Sequence, residues 1–187
     1  MNDSIITTIK KERKMLNFQR LAGTRKIRSY NLAEHSYFVG LMFQELAEEL
    51  GIKISIEALG TVFRHDFMEV FTTDLPWQVK HLSPKTEEAW STIERAAYNH
   101  TPCKYLYSDE QIKNTLTEEQ YILFKWCDIL ELLLFCLEEE KMGNQGSDLR
   151  AVINNCRGIV DDDYMNQYWW GAELYRLTNT ICDDIHI

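Results

Sequence analysis

The segment from Thr117 to Gly143, TEEQYILFKWCDILELLLFCLEEEKMG, constrains the fold more than any other part of this sequence. It is the most apolar long stretch of the chain, it contains no proline, and its only glycine is its last residue. Long uninterrupted segments of this kind form helices, and a helix that is apolar around most of its circumference lies inside a protein. We therefore predict that this segment forms the central helix of the fold.

The rest of the sequence also contains long segments with few helix-breaking residues. Only three prolines and eight glycines occur in 187 residues, and no segment alternates apolar and polar residues in the manner of a half-buried strand. Start and stop residues predict further helices from Asp3 or Ser4 to about Ala22, over 32–50, over 55–71, from Pro84 to Pro102, over 147–160 and over 162–183. We therefore predict an all-α fold, a single-domain helical bundle over residues 1–187.

The basic residues are concentrated near the amino terminus. The net charge is −9, yet residues 10–28 hold eight of the twenty lysines and arginines and only one acid. Because phosphate contacts dominate nucleic-acid affinity, an acidic chain of this kind is not expected to bind nucleic acid, whereas a small phosphorylated substrate needs only a local basic patch. Lys10 to Lys14 fit the solvated face of a helix. For Arg20, Arg25 and Arg28, a surface position and a ligand contact both stay open.

The five cysteines argue against a disulfide-stabilised or zinc-ribbon domain. They are widely spaced and form no C-x-x-C pair. Cys127 and Cys136 lie in the apolar segment and are predicted to be core residues. The first residues, MNDSIITTIKKERK, contain no apolar stretch typical of a secretory signal, and no apolar run is long enough to span a membrane. We expect a soluble, cytoplasmic protein that does not bind membranes.

Two histidines and an aspartate are the first candidates for chemistry. His65 and Asp66 are adjacent, so on a helix they point about 100° apart, and a divalent metal is one reason for both to face the same interior. The dipeptide alone also occurs often by chance. His35 lies in the first turns of the predicted helix 32–50, and a hydrogen-bonded core histidine is the alternative to a metal ligand.

Asp128 is a carboxylate inside the central apolar segment. If it is buried it must be paired or must bind a metal, because burial of an unpaired carboxylate costs several kcal/mol. Alternatively, Lys125, Asp128 and Glu131 recur every three residues and form a narrow solvated stripe. The residues alone leave both interpretations open.

The order His35, His65-Asp66, Asp128 resembles the H…HD…D signature of the HD-domain phosphohydrolases. The segments RKIRSYNLAEHS, RHDFMEVFTTDLPWQVK and KWCDILELLLFCLEE are similar to those of YfbR-type 5′-deoxynucleotidases and of related phage dATP triphosphohydrolases of the DatZ type. The resemblance covers roughly residues 15–142. It implies a helical bundle of the HD-domain type.

The resemblance also implies a metal centre. His35, His65, Asp66 and Asp128 would hold one divalent ion. Two imidazoles and two carboxylates suit Co²⁺, Mn²⁺, Ni²⁺, Fe²⁺ or Zn²⁺ better than Ca²⁺. Such an ion lowers the pKa of its bound water and polarises the phosphorus of the substrate.

Further site residues follow from the same resemblance. Glu69 corresponds to an acid/base residue and Asp74 to an acid that positions the attacking water. Arg20 corresponds to a phosphate-binding arginine, and Lys80 is a second candidate phosphate contact; without the resemblance both would be surface charges. Leu21 is a candidate substrate-binding residue at a place where the bacterial members have a tryptophan that packs on the sugar, so their deoxyribose selectivity and base tolerance are not carried over.

The implied activity is hydrolysis of the bond to O5′ of a deoxynucleotide. A dNMP giving deoxynucleoside and phosphate is the first expectation, and a dNTP giving tripolyphosphate is the second, since the same site serves both reactions. A nucleotide-binding protein without turnover and a plain helical interaction module are the alternatives from other classes. Tyr164, Tyr168 and Tyr175 recur at helical spacing and favour a core or a homo-oligomer interface over a site for another protein.

Overall fold

The computed structural model describes residues 3–73, 75, 77–80, 82–101, 103, 106–162 and 167–186. The α-helices are α1 Asp3–Glu12, α2 Leu32–Glu49, α3 Ile56–Val62, α4 Glu69–Thr72, α5 Trp77–Lys80, α6 Pro84–His100, α7 Asp109–Thr115, α8 Glu118–Lys141, α9 Ser147–Val160 and α10 Gly171–His186. Two 3-10 helices span Arg13–Asn17 and His65–Met68. Among the described residues no strand forms, and one isolated antiparallel bridge joins Gln19 and Asn31. The all-α prediction is confirmed.

The chain divides into two compact units. The first unit comprises Met1–Gly23, Tyr30–Tyr37 and Ser55–Leu116, and the second comprises Thr24–Ser29, Phe38–Ile54 and Thr117–Ile187. The single domain over residues 1–187 stays a prediction. In the described part of the chain, no helix is both long enough and apolar enough to cross a bilayer.

The second unit is built around α8, whose residues are mostly buried as the sequence predicted. The helix begins with a capping box, in which the Thr117 hydroxyl accepts from the Gln120 backbone and the Gln120 side chain accepts from the Thr117 backbone. α9 and α10 pack on it. Trp126 Nε1 donates to Thr178 Oγ1 at 3.2 Å, so the indole N–H of this buried tryptophan has a hydrogen-bond acceptor.

The cysteines of α8 are core residues, as predicted. Cys127 and Cys136 are fully buried, and all five cysteines are free thiols. Burial, with the charge of neighbouring Asp128, raises the pKa of the Cys127 thiol far above its usual range. This thiol therefore stays protonated and unreactive.

The first unit has a core of its own that includes residues of the two 3-10 helices. Its buried members come from both of these segments, from α2 and α4, and from the loop before α7: Met15, Leu32, Phe67, Met68, Val70 and Leu106. Phe67 and Phe71 meet edge to face, with ring centroids 5.8 Å apart. This packing fixes the turn that carries His65 and Asp66.

The first helix is shorter than the sequence suggested. α1 ends at Glu12, a 3-10 segment follows to Asn17, and Phe18 is extended. The backbone of this stretch bonds to residues distant in sequence, since Leu32 N donates to Phe18 O and Arg20 N donates to Tyr30 O. The expected helix to Ala22 was therefore wrong, and Arg20 lies at a bend beyond the helical segments.

The predicted helix 55–71 is interrupted. Ser55 caps α3 as expected, because its hydroxyl accepts from Ala58 N at 3.0 Å, but α3 ends at Val62. Side chains then occupy the carbonyls that would continue the helix: Arg64 Nη1 donates to Gly60 O, and His65 Nδ1 donates to Val62 O. The continuous helix was wrong, and the His-Asp pair lies on a 3-10 turn.

Two further differences concern the other helices. α7 was not predicted, although Ser108 and Gln111 form a capping box at its start, a pattern visible in the sequence. α10 begins at Gly171 rather than at residue 162. Tyr164 lies outside the described residues, so its predicted place beside Tyr168 and Tyr175 stays a prediction.

Candidate metal centre

His35 is fully buried in the first turns of α2. Its Nδ1 atom lies 3.0 Å from the hydroxyl of Tyr30, which is also fully buried. A histidine that binds a metal commonly uses its second ring nitrogen in a hydrogen bond that fixes the ring, and this contact is of that kind. The other nitrogen, Nε2, points to His65.

His65 begins the 3-10 helix that follows α3 and is also buried. Its Nδ1 atom is 2.8 Å from the carbonyl oxygen of Val62. Because a carbonyl can only accept, Nδ1 carries the proton, and the neutral ring has its lone pair on Nε2. The interruption of the helix after Val62 therefore also selects the tautomer needed for metal binding.

The two rings and Asp66 converge on one point. His35 Nε2 lies 3.2 Å from His65 Nε2 and 3.5 Å from Asp66 Oδ2, and His65 Nε2 lies 3.3 Å from the same oxygen. Ligand atoms at about 2.0–2.2 Å from one tetrahedral ion lie about 3.3–3.6 Å from one another. The donor set and its spacing fit a divalent transition metal, since a shared cation removes the repulsion between lone pairs at this distance.

Arg20 lies on the same cluster. Its Nη1 atom bonds to Asp66 Oδ2, and its guanidinium carbon lies 5.9 Å from the centroid of the Tyr30 ring. The side chains of Arg20 and Asp66 are 14% and 16% exposed, so this is a mostly buried ion pair. The bridge between Gln19 and Asn31 brings Arg20 and Tyr30 together although nine residues separate them.

Glu69 and Lys80 form a second ion pair in the first unit. Lys80 Nζ lies 3.5 Å from Glu69 Oε1, and the two side chains are 23% and 12% exposed. Glu69 follows Asp66 by three residues across the 3-10 turn, in which residues i and i+3 lie on the same side. Their roles in catalysis and phosphate binding stay predictions.

The roles of three further predicted site residues, Asp128, Leu21 and Asp74, stay predictions. Asp128 belongs to the second unit, where its Oδ2 atom lies 2.7 Å from Lys125 Nζ. The solvated stripe was wrong, because Glu131 of the same row is buried. Leu21 follows Arg20 with a φ of 53°, a conformation that non-glycine residues rarely adopt. Asp74 lies outside the described residues.

Sequence reasoning missed Tyr30, the hydrogen-bonding partner of His35. It lies five residues before His35 and outside α2, so helical periodicity carries no signal for the contact. The hydrogen bond from His65 to the backbone carbonyl of Val62 could not be predicted either, because it depends on the break in the helix. The residues around Lys80, described below, were missed as well.

Comparisons of the whole fold define its class. The chain has a TM-score of 0.74 to an HD-domain phosphohydrolase from Listeria innocua, with 20% identity over 97% of this chain and 89% of that one. It has a TM-score of 0.69 to the Cyanophage S-2L HD phosphohydrolase DatZ, with 19% identity over 94% of this chain and 96% of that one. The latter structure contains dA and one catalytic Zn²⁺ ion. The fold is therefore that of the HD-domain phosphohydrolases.

Sequence comparison then gives the family. The sequence profile described as 5′-deoxynucleotidase YfbR-like matches residues 9–151, and the chain belongs to this family. The 5′-deoxynucleotidases YfbR of Salmonella newport and Salmonella agona are each 28% identical to it over 131 residues. These matches span 64% of this chain and 66% of each relative. The predicted resemblance to the YfbR-type 5′-deoxynucleotidases is confirmed.

Proposed function

We propose that this protein is a divalent-metal-dependent phosphohydrolase that cleaves the ester bond to O5′ of a deoxynucleoside 5′-monophosphate. The observation that carries this proposal is the convergence of His35 Nε2, His65 Nε2 and Asp66 Oδ2 within 4.8 Å of one another. Membership of the YfbR-like family supports the substrate class. The products would be a deoxynucleoside and inorganic phosphate.

His35, His65 and Asp66 would hold the metal, with Asp128 as the fourth ligand inferred from the resemblance. A bound divalent ion supplies a water of lowered pKa and polarises the phosphorus. The catalytic Zn²⁺ of the cyanophage DatZ structure supports an ion of this kind. Other divalent transition metals suit the same nitrogen and oxygen donors.

The chain's own residues then bind the phosphate and move the proton. The guanidinium of Arg20 binds phosphate oxygens through paired N–H donors, as arginine does at phosphate sites. Glu69 takes a proton from the attacking water and gives it to O5′ as the alcohol leaves. The ammonium of Lys80, 3.5 Å from Glu69, offsets the repulsion between that carboxylate and the anionic phosphate. Asp74 is assigned to the attacking water by resemblance alone.

A deoxynucleoside triphosphate is the second candidate substrate. A longer phosphate chain would need more positive charge, and residues 24–29 offer Arg25, Lys26 and Arg28. Within the second unit, however, Arg28 binds Glu138 and lies 4.7 Å from the centroid of the Phe135 ring. Arg28 thus has a carboxylate partner, as Arg20 has, and the choice of the monophosphate rests on membership of the YfbR-like family.

Product analysis tests the proposal. Purified protein loaded in turn with Zn²⁺, Co²⁺ and Mn²⁺ is incubated with dAMP or dATP, and the inorganic product is identified by ion chromatography. We expect phosphate from dAMP and loss of activity with a chelator. Tripolyphosphate from dATP without phosphate from dAMP would reverse the order of substrates. No hydrolysis across a panel of deoxynucleotides and ribonucleotides would reject the enzyme.

The predicted cytoplasmic location and homo-oligomer are kept as proposals. Light scattering on the purified protein tests the oligomer, and a monomer at all accessible concentrations would contradict it.

A further inference from the structure

Lys80 contacts an aromatic ring in addition to its ion pair with Glu69. Lys80 ends the four-residue helix α5, and its ammonium lies 5.4 Å from the centroid of the Trp90 ring in α6. Cations within about 6 Å of an indole face are attracted by the electrons of the ring, and tryptophan is the strongest aromatic partner. The ammonium thus contacts the Glu69 carboxylate and the face of Trp90.

The ring of Trp90 is itself fixed. Its Nε1 atom donates to Glu94 Oε1 at 2.7 Å, one turn further along α6. Burial, and then the charge of Asp109, raise the pKa of Glu94, whereas the bond from Trp90 and the charge of Lys80 act to lower it. Glu94 therefore holds the indole in one orientation, and its carboxylate is also attracted by the charge of Lys80.

We propose that Trp90, oriented by Glu94, is a positioning residue that fixes the ammonium of Lys80 beside Glu69. A lysine side chain is long and loses much rotational freedom when it is held in one place, so a fixed contact must compensate for that loss. A rigid, half-buried indole face provides such a contact without a competing hydrogen bond. This inference rests on the proposed function, because Lys80 and Glu69 matter only if the cluster hydrolyses a phosphate ester.

The first test does not depend on activity. In the metal-loaded protein labelled with ¹³C-lysine, the ring current of Trp90 should move the Lys80 side-chain signals upfield, and a Lys80→Met variant assigns them. Trp90→Leu should remove the shift and Trp90→Phe should leave part of it. Glu94→Gln, which keeps an oxygen acceptor for Nε1, should retain more of the shift than Glu94→Ala. Unshifted Lys80 signals in the wild type would overturn the proposal.

The second test is a double-mutant cycle on kcat/KM with dAMP. Trp90→Leu should lower kcat/KM about 3- to 30-fold, the range of a partly desolvated cation–π contact. In a Lys80→Met background the same change should have almost no further effect, since the interaction is already lost. Metal content and melting temperature are measured for every variant, and Trp169→Leu, at a position 75% exposed in the second unit, is the matched control.

The outcomes separate the two proposals. An equal loss from Trp90→Leu in both backgrounds would mean that Trp90 acts independently of Lys80, and would overturn the inference. A wild-type protein that shows the ring-current shift but hydrolyses no nucleotide would reject the proposed function and reduce the Lys80–Trp90 contact to a structural one. Coupled losses together with the shift would support both.

Discussion

Each unit of this protein buries a polar cluster that contains a carboxylate, and the two clusters are completed in opposite ways. In the second unit, fully buried Glu139 accepts from the backbone N–H groups of Ile27 and Arg28 at 2.7 and 2.9 Å and from Asn144 Nδ2 at 2.9 Å. In the first unit, the Nε2 atoms of two histidines and the oxygen of an aspartate face one another. Backbone and amide donors surround the Glu139 carboxylate, whereas Asp66 Oδ2 accepts from Arg20 and also faces the Nε2 atoms of His35 and His65.

This difference separates a structural group from a candidate ligand site. Although burial acts to raise the pKa of Glu139, the donors from Ile27, Asn144 and Arg28 hold it below its usual range. Glu139 thus needs no further partner, and it ties residues 24–29 to the end of α8. His35, His65 and Asp66 present electron pairs to a common point, which is the arrangement that a cation stabilises. The burial of the side chains does not by itself distinguish the structural cluster from the candidate ligand site.

The strongest test of the comparison removes a carboxylate from the first cluster. Asp66→Ala should lose the metal and lower kcat by about 10³-fold or more, because a metal ion supplies several kcal/mol of transition-state stabilisation. Elemental analysis and initial rates measure the two effects. Asp148→Ala, at an exposed position in α9, is the control. A variant that keeps its metal would exclude Asp66 as a ligand. The parallel Asp128→Ala variant tests the fourth ligand in the same way.

A second change separates proton transfer from metal binding. Glu69→Gln should lower kcat by about 10²- to 10⁴-fold, the usual contribution of an acid/base residue, while the metal content stays near that of the wild type. Rates with dAMP and elemental analysis on the same samples give both values. Wild-type turnover would remove Glu69 from the mechanism, and loss of the ion would make it a ligand instead.

The Glu139→Ala variant tests the structural role of the cluster in the second unit. This change removes the acceptor of two backbone N–H groups, those of Ile27 and Arg28, and leaves Asn144 Nδ2 with only Arg25 O. We expect the free energy of unfolding to fall by about 3 kcal/mol at pH 7. Since the folded-state pKa of Glu139 is lowered, its stabilisation is present above the unfolded pKa of about 4.3 and is lost as the pH falls through the folded value. Denaturant titrations of both proteins at pH 7 and at acid pH measure this.

The metal content is the control for Glu139→Ala and should not change. If the variant loses the ion while it keeps its stability, the division into a structural cluster and a ligand cluster is incorrect. A destabilisation that is the same at pH 7 and at acid pH would show that the carboxylate charge is not what the donors stabilise.

The smallest expected effect concerns Tyr30→Phe. Loss of the hydroxyl near His35 Nδ1 should weaken metal binding about 10-fold, at the low end of the range for residues that orient a metal ligand. Competition with a chelator of known affinity measures the change. Tyr37→Phe, at an exposed position of α2, is the matched control. Unchanged affinity would mean that packing alone fixes the His35 ring.

The sequence was most informative where local chemistry decides the structure. Capping residues located the start of α8, and the continuous apolar run of α8 predicted its burial. The adjacency of His65 and Asp66 pointed to the cluster that the structure assembles. These features depend on neighbours within a few residues, which periodicity and capping describe.

The errors arose where distant residues decide the structure. α1 ends early because backbone groups near Phe18 and Arg20 bond to residues 30–32. The break after Val62 depends on side-chain bonds from Arg64 and His65 to backbone carbonyls. The helical spacing of apolar residues predicts neither kind of bond. The catalytic and substrate-binding roles came from the resemblance to the family, and they stay predictions.

The 3-10 turn at His65–Met68 has a consequence for how the gene can change. Three residues per turn bring Asp66 and Glu69 to the same side, whereas an α-helix would rotate them about 60° apart. Apolar exchanges at Phe67 and Met68 therefore preserve the alignment, but a codon gained or lost between positions 66 and 69 rotates one acid away from the other. The two positions between Asp66 and Glu69 should therefore tolerate apolar substitution and reject insertion, so the number of residues is under selection there.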